Sequence, residues 1–338
     1  MISSPSGNYE NCPPDNMDFE IERIVELARE NKARVLQLQF PGGLTRYGPQ
    51  VAKCIKEHVN VNVLLSGNPC YGACDLDYNP QADLLVHFGH AEIPELAAHN
   101  VCFVEVRSAV DVMPVVDDAL ALIRGEQVGL VTNVQHIHTL DSVRRHLESA
   151  GLRCFIGYGD RRVRYRGQVL GCNFSSARAL DVEEYLYIGS GAFHAIGVAL
   201  ATGKRVITAD PFLQKTSTAD VDLILKQRYA LMAKAMDAHT FCMLVGTKTG
   251  QQRFDLAFKL VGEAILHGYD AYTVTINEIT PWTLYQFPAD AYVNTACPRV
   301  AIDDSALFKA PMLTPVEFEM ILGNRDFSKY TLDEFSSG

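Results

Sequence analysis

Three cysteines stand where a thiolate can do chemistry. Cys74 lies in Gly67-Asn68-Pro69-Cys70-Tyr71-Gly72-Ala73-Cys74-Asp75-Leu76-Asp77, Cys172 in Val169-Leu170-Gly171-Cys172-Asn173-Phe174, and Cys297 in Val293-Asn294-Thr295-Ala296-Cys297-Pro298-Arg299. Each segment adjoins an apolar run, so the thiol sits on a loop anchored by a buried strand, the usual seat of chemistry in α/β proteins. The gaps, 172 − 74 = 98 and 297 − 172 = 125 residues, correspond to one cysteine per domain-sized unit. Three thiolates on one centre suit an iron–sulfur cluster or zinc, with a fourth position left open for a substrate. Cys54, Cys102, Cys154 and Cys242 occupy apolar helix or strand positions and read as small buried hydrophobes.

Glycines supply a second signal. Phe40-Pro41-Gly42-Gly43-Leu44, Ile188-Gly189-Ser190-Gly191-Ala192-Phe193-His194 and Val245-Gly246-Thr247-Lys248-Thr249-Gly250-Gln251-Gln252 each lead from a strand into a helix. Such a stretch is either a tight turn or a set of backbone N–H groups that holds a ligand's carboxylate or hydroxyls. On the second reading the cofactor-binding candidates are Gly42, Gly43, Gly189, Gly191, His194, Thr247, Lys248, Gly250 and Gln251. None of the runs completes Gly-x-Gly-x-x-Gly or a P-loop, so neither a dinucleotide nor a nucleoside triphosphate is indicated. Cys70 and Cys74 begin the Cys-x₃-Cys-x₂-Cys loop of ordinary radical-SAM enzymes, but Asp77 fills the third position, which leaves Cys70 the weaker claim. His136-x-His138 reads as a polar loop without a third ligand. Arg161-Arg162-Val163-Arg164-Tyr165-Arg166 reads as a solvated basic hairpin able to meet an acidic partner face, and Trp282, the only tryptophan, as core or cavity wall.

The elements that must position these residues recur three times. An amphipathic helix (19–31, 112–124, 221–237) leads into an apolar strand (33–40, 127–132, 240–246), then a second helix (47–58, 140–150, 253–267), a second strand (61–65, 153–158, 271–276) followed by the cysteine segment, and a third strand (82–87, 184–188, 289–293). Strands alternating with helices of this length mean parallel sheets with right-handed crossovers. The expected architecture is α/β: a disordered tail over 1–16 and three repeated small parallel-sheet domains, 17–107, 108–211 and 212–338, with their strand ends turned to a central site about a pseudo-threefold axis. Fourth strands are expected at 101–106 and 205–209.

Composition narrows the partners. With 48% hydrophobic and 21% charged residues in 338, the chain is an ordinary globular protein with room for several cores. A formal charge of −10 disfavours nucleic acid as partner and leaves a protein as the better fit. No apolar run approaches the roughly eighteen residues of a membrane span, and no signal peptide opens the chain, so a cytoplasmic setting is expected. Nine cysteines, an odd number, in that reducing setting argue against a disulfide framework.

Tyr71-Gly72-Ala73-Cys74-Asp75, Gln168-Val169-Leu170-Gly171-Cys172 and Thr295-Ala296-Cys297-Pro298-Arg299-Val300-Ala301-Ile302-Asp303-Asp304, in that order on a triplicated α/β chain, closely resemble the archaeal diphthamide synthase iron–sulfur family, the 2-(3-amino-3-carboxypropyl)histidine synthases. The resemblance runs from about Glu20 to about Leu322. It implies a [4Fe–4S] cluster held by Cys74, Cys172 and Cys297, S-adenosylmethionine on the open iron, an electron donor and a homodimer. It also implies transfer of an aminocarboxypropyl radical to C2 of a histidine on translation elongation factor 2. Two alternatives stand beside it. Quinolinate synthase is similar in its three repeated domains with one cluster cysteine each, and a non-catalytic cluster subunit would only pass electrons to a partner.

Overall fold

The structure, a computed structural model, describes residues 17–96 and 100–335. The tail expected over 1–16 lies outside the described residues. Three sheets carry the fold, each with its first strand in the centre. The first unit holds β1 (Val35–Gln39), β2 (Asn62–Leu65), β3 (Leu84–Phe88) and β4 (Val101–Val104) in the order β2-β1-β3-β4. The second holds β5 (Gln127–Thr132), β6 (Arg153–Phe155), β7 (Glu184–Ile188), β8 (Arg205–Asp210) and β9 (Lys215–Thr218) in the order β6-β5-β7-β8-β9. The third holds β10 (Thr240–Gly246), β11 (Asp270–Ile276), β12 (Ala291–Asn294) and β13 (Met312–Leu313) in the order β11-β10-β12-β13. One strand order used three times, with every pairing parallel except β8–β9, is the expected internal triplication.

The local causes are ordinary. Helix Ile21–Glu30 buries Ile21, Ile24, Val25 and Ala28, the three-and-four spacing of one helical face. β10 is buried from Phe241 to Gly246, as a central parallel strand covered on both faces must be. The second and third units share one apolar core that includes Tyr185 and Val131 from one sheet, Phe241 from the other and Phe318 from helix Pro315–Ile321. The first unit keeps its own, around Ile24, Leu36 and Phe88. Arg228, 1% exposed, locks the third unit internally, donating to both Glu317 carboxylate oxygens (2.7 and 2.6 Å) and to the Ala301 and Met312 carbonyls.

Two expectations are corrected. The boundary placed near Pro211 falls inside the second unit, because β9 runs back antiparallel along β8 from Ile207↔Thr218 to Asp210↔Lys215. The reversal is an Asx-type turn in which the Asp210 carboxylate accepts the N–H groups of Phe212 and Leu213, each at 3.0 Å. The cysteine segments are not strictly equivalent either. Cys74 lies between β2 and β3 and Cys172 between β6 and β7, but Cys297 follows β12, the third strand of its unit.

Candidate functional site

All three sequence-selected thiols line one cavity of about 260 Å³, reached from the carboxyl ends of the three sheets. Cys74 sits on an irregular loop tied down by carboxylates and glutamines. Asp77, the residue that spoils the ordinary radical-SAM spacing, accepts on one oxygen from Gln37 (3.2 Å), Ser66 (2.5 Å) and Asn68 (3.1 Å), so it is a loop fastener. Two further bonds reach Cys74 from the third unit: Gly250 N–H donates to its carbonyl at 3.0 Å, and Gln251 Nε2 lies 3.4 Å from its Sγ. Cys172 occupies a turn closed by Leu170 N–H on Asn173 O and capped by the end of the described chain, where Phe335 N–H donates to Cys172 O at 2.8 Å and Asn173 Nδ2 to Phe335 O at 2.8 Å. Cys297 follows β12 and caps the start of helix Pro298–Ile302. Asn294 Nδ2 donates to its carbonyl at 2.7 Å, so its own unit places it.

The electrostatics of the cavity favour a shared metal centre. Burial pushes the Cys297 thiol up to about 11 and those of Cys74 and Cys172 upward as well. Each of Cys172 and Cys297 is raised further by charge on Cys74. The guanidiniums of Arg162, Arg253 and Arg299 oppose these shifts. Without a cation the three thiols therefore stay protonated at neutral pH, and a metal centre that removes their protons relieves both burial and mutual repulsion. Among the described residues no carboxylate lines this cavity. Soft sulfur donors, nearby arginines and no carboxylate among the lining residues fit a [4Fe–4S] cluster on three thiolates with one iron open.

A second cavity of about 220 Å³ shares Tyr71, Cys297 and Arg299 with the first and adds Glu278, Asp303 and Asp304. Lys248 and Gln251 line it. Lys248, 8% exposed, is already engaged, its Nζ 2.8 Å from Asp75 and 2.6 Å from Glu278, and it lies over the Tyr71 ring. It thus latches the first unit to the third. Gly250 is needed for close approach: a Cβ there would overlap that of Cys74 and lie 2.8 Å from the Cys74 Cα. His194 lines the thiol cavity, stacked 5.9 Å from Tyr187, and burial followed by the charge of Arg299 depresses its pKa to about 4.

The remaining candidates fall elsewhere. Gly189 (φ 147°) and Gly191 (φ 81°) hold backbone conformations that favour glycine, and Gly191 caps helix Ala192–Thr202, but neither lines either cavity. Gly42 and Gly43 are exposed and line neither, and Thr247 is exposed with its hydroxyl 3.4 Å from Asn277 Oδ1. The basic run is not a solvated hairpin. Arg162 is buried, donating to Gly250 O and stacked on Phe335; Arg164 pairs with Glu92 at 2.6 Å; Arg166 donates to Ile156 O and covers Tyr158. Arg162 and Arg164 join the second unit to the third and the first, whereas Arg166 stays within the second. His136 is buried at 1% exposure with neither ring nitrogen hydrogen-bonded, and not in a polar loop. Trp282 is neither core nor cavity wall, being 77% exposed. Sequence reasoning missed Arg299 as a wall of both cavities, although it lies two residues past Cys297, and missed the 330–335 segment that caps Cys172.

Comparison with known proteins agrees with this geometry. The profile of the diphthamide synthesis protein family matches residues 40–331. The 2-(3-amino-3-carboxypropyl)histidine synthase of Pyrococcus horikoshii is 38% identical over 323 residues, 94% of this chain and 93% of that protein. Subunit 1 of the Schizosaccharomyces pombe enzyme is 30% identical over 90% of this chain and 73% of its own. The crystal structure of Dph2 from Pyrococcus horikoshii with a 4Fe-4S cluster superposes with a TM-score of 0.89 at 35% identity, covering 96% of each chain. The quinolinate synthase alternative is thereby set aside, and the chain belongs to the diphthamide synthesis family, that of the 2-(3-amino-3-carboxypropyl)histidine synthases.

Proposed function

We propose that the chain transfers the 3-amino-3-carboxypropyl group of S-adenosylmethionine to C2 of a histidine on translation elongation factor 2, the first step of diphthamide biosynthesis. Cys74, Cys172 and Cys297 hold the [4Fe–4S] cluster. When bound, the cluster supplies an open iron for the amino acid end of S-adenosylmethionine and the electron, drawn from an external donor, that breaks its carbon–sulfur bond to the three-carbon group. One observation carries the reading: a thiol from each of three units opens on a single cavity, and that cavity shares a wall with a second one rich in carboxylates.

The second cavity is the seat for the rest of S-adenosylmethionine. Glu278, Asp303 and Asp304 suit its sulfonium charge and ribose hydroxyls, with Lys248 and Gln251 beside them. Of the other cofactor candidates, His194 borders the reacting end, Gly250 acts through its fit against Cys74, and Gly42, Gly43, Gly189, Gly191 and Thr247 serve turn geometry. A three-carbon radical attacks what is nearest, so the walls must present one acceptor and exclude water. A protein loop needs an open mouth, and exposed Trp282 and Tyr285 follow Ile279 on the rim of the second cavity as docking groups. We place the enzyme in the cytoplasm as a homodimer; no described helix is long and apolar enough to cross a membrane.

Anaerobic incubation of the reconstituted protein with S-adenosylmethionine and dithionite tests the reaction. Methylthioadenosine is expected, and with elongation factor 2 present a single added aminocarboxypropyl mass that vanishes when the target histidine is replaced. Release of 5′-deoxyadenosine, or of no nucleoside, overturns the proposal; the latter also marks a subunit that only delivers electrons.

A further inference from the structure

Cys70, which the cluster does not use, forms a second group with His87 and His90. One ligand atom from each lies within 4.8 Å of the other two. Cys70 Sγ is 4.0 Å from His87 Nε2, and His87 Nε2 is 2.9 Å from His90 Nδ1. A tetrahedral zinc with ordinary bond lengths holds its sulfur and nitrogen donors roughly 3.3–3.8 Å apart. The two measured separations, 4.0 and 2.9 Å, lie on either side of that range. Cys70 is 5% exposed and His87 0%, while His90 reaches the wall of the thiol cavity and so gives an ion a way in.

The surroundings fix the lone pairs. Gln39 Nε2 donates to Asp75 O at 2.7 Å, which sets the orientation of that amide and leaves Oε1 as the acceptor, 2.8 Å from His87 Nδ1. His87 must therefore carry its proton on Nδ1 and present Nε2 bare toward Cys70 and His90. A histidine whose far nitrogen is held by an acceptor in this way is the usual second support of a metal ligand. Gln39 and His87 are register partners on β1 and β3, so the sheet itself holds the arrangement.

We propose that Cys70, His87 and His90 bind a zinc-class divalent cation, separate from the iron of the three cluster cysteines. The ion fastens the Cys70–Cys74 loop to the end of β3 and so steadies the first cluster ligand. Three protein donors leave its fourth position to water.

The test uses the cluster-loaded protein, incubated with zinc and freed of excess, with zinc and iron measured in the same sample. About one zinc per chain is expected, with a zinc-edge absorption shell of one sulfur, near about 2.3 Å, and two nitrogens. Cys70→Ala and His90→Gln should each lower zinc at least fivefold with iron unchanged. Zinc in the wild type no higher than in Cys70→Ala, or a shell of three sulfurs or none, overturns the proposal. Should Cys70→Ala lose iron as well, His90→Gln decides by the same criterion, and if both lose iron the wild-type shell decides.

Discussion

Cys74 and Cys297 face the same cavity but are placed by different means. Cys297 is set by its own unit: Asn294 holds its carbonyl, and the backbone N–H groups of Arg299 and Val300 favour its thiolate. Cys74 is set across a boundary, by Gly250, by Gln251 and by the Lys248 bridge to Asp75. The same contrast holds for whole units. The second and third are fused through one apolar core, whereas the first has its own core and is fastened to the others by polar contacts such as Lys248–Asp75 and Arg164–Glu92. One thiol is thus positioned within its own unit, and the other also by contacts from a second unit.

The largest effect comes from the thiols themselves. Cys74→Ala and Cys297→Ala should each lose nearly all bound iron, while Cys154→Ala, buried in the second unit's core, should keep it and cost about 1 kcal/mol in unfolding free energy. Iron per chain after anaerobic reconstitution measures this. If Cys74→Ala kept its iron, the cross-unit contacts would have no ligand to place.

Next is Gly250→Ala, which leaves all three thiols intact. Its Cβ has no room against Cys74, so backbone must move, and most of the iron should be lost. Asn294→Ala, the matching change at Cys297, removes two hydrogen bonds, one donated to Cys297 O and one accepted from Ala296 N–H, without a clash and should lower iron less. Equal losses in the two variants would erase the distinction between local and cross-unit placement.

Lys248→Met tests the latch. It leaves Asp75 buried and unpaired and takes one partner from Glu278, which should cost about 3 kcal/mol. The loss should appear as easier release of the first unit, seen as faster hydrogen exchange in β1 and β3 than in β10 and β12. Uniform acceleration would mean that the units unfold as one body.

Much of this was legible in the chain. Central parallel strands are buried and mainly apolar, and β5, β7 and β10 fall on the residues that their apolar runs mark. The three cysteines that meet at one cavity could be told from buried ones because each lay in a loop motif. What stayed hidden was whatever depended on a distant residue. The Arg161–Arg166 run looked like a solvated patch because its partners Glu92, Gly250 and Phe335 lie 72 to 173 residues away (164 − 92 and 335 − 162). The bridges from Lys248 to Asp75 and Glu278 stayed hidden for the same reason. The edge strand β9 is short and polar, and only the Asp210 turn announces it.

The smallest effect is also the most direct reading of the cross-unit bond. Gln251 Nε2 points a donor at Cys74 Sγ from 3.4 Å. Such a hydrogen bond stabilises negative charge on sulfur, and it does so more in the reduced cluster, which carries one more electron, than in the oxidised one. Hydrogen bonds to the ligating sulfurs are among the settings of cluster potential. Gln251→Leu keeps similar bulk and removes the donor, so the midpoint potential read by an EPR-monitored titration should fall while iron content stays unchanged. Cys297 draws its support from backbone amides of its own turn, which no side-chain replacement removes. Replacing Asn294, whose amide meets the Cys297 carbonyl and not its sulfur, should therefore leave the potential where it was. A fall in Asn294→Ala equal to that in Gln251→Leu would mean that the shift follows general loosening of the cavity, and the specific N–H to sulfur contact would then have no part in it.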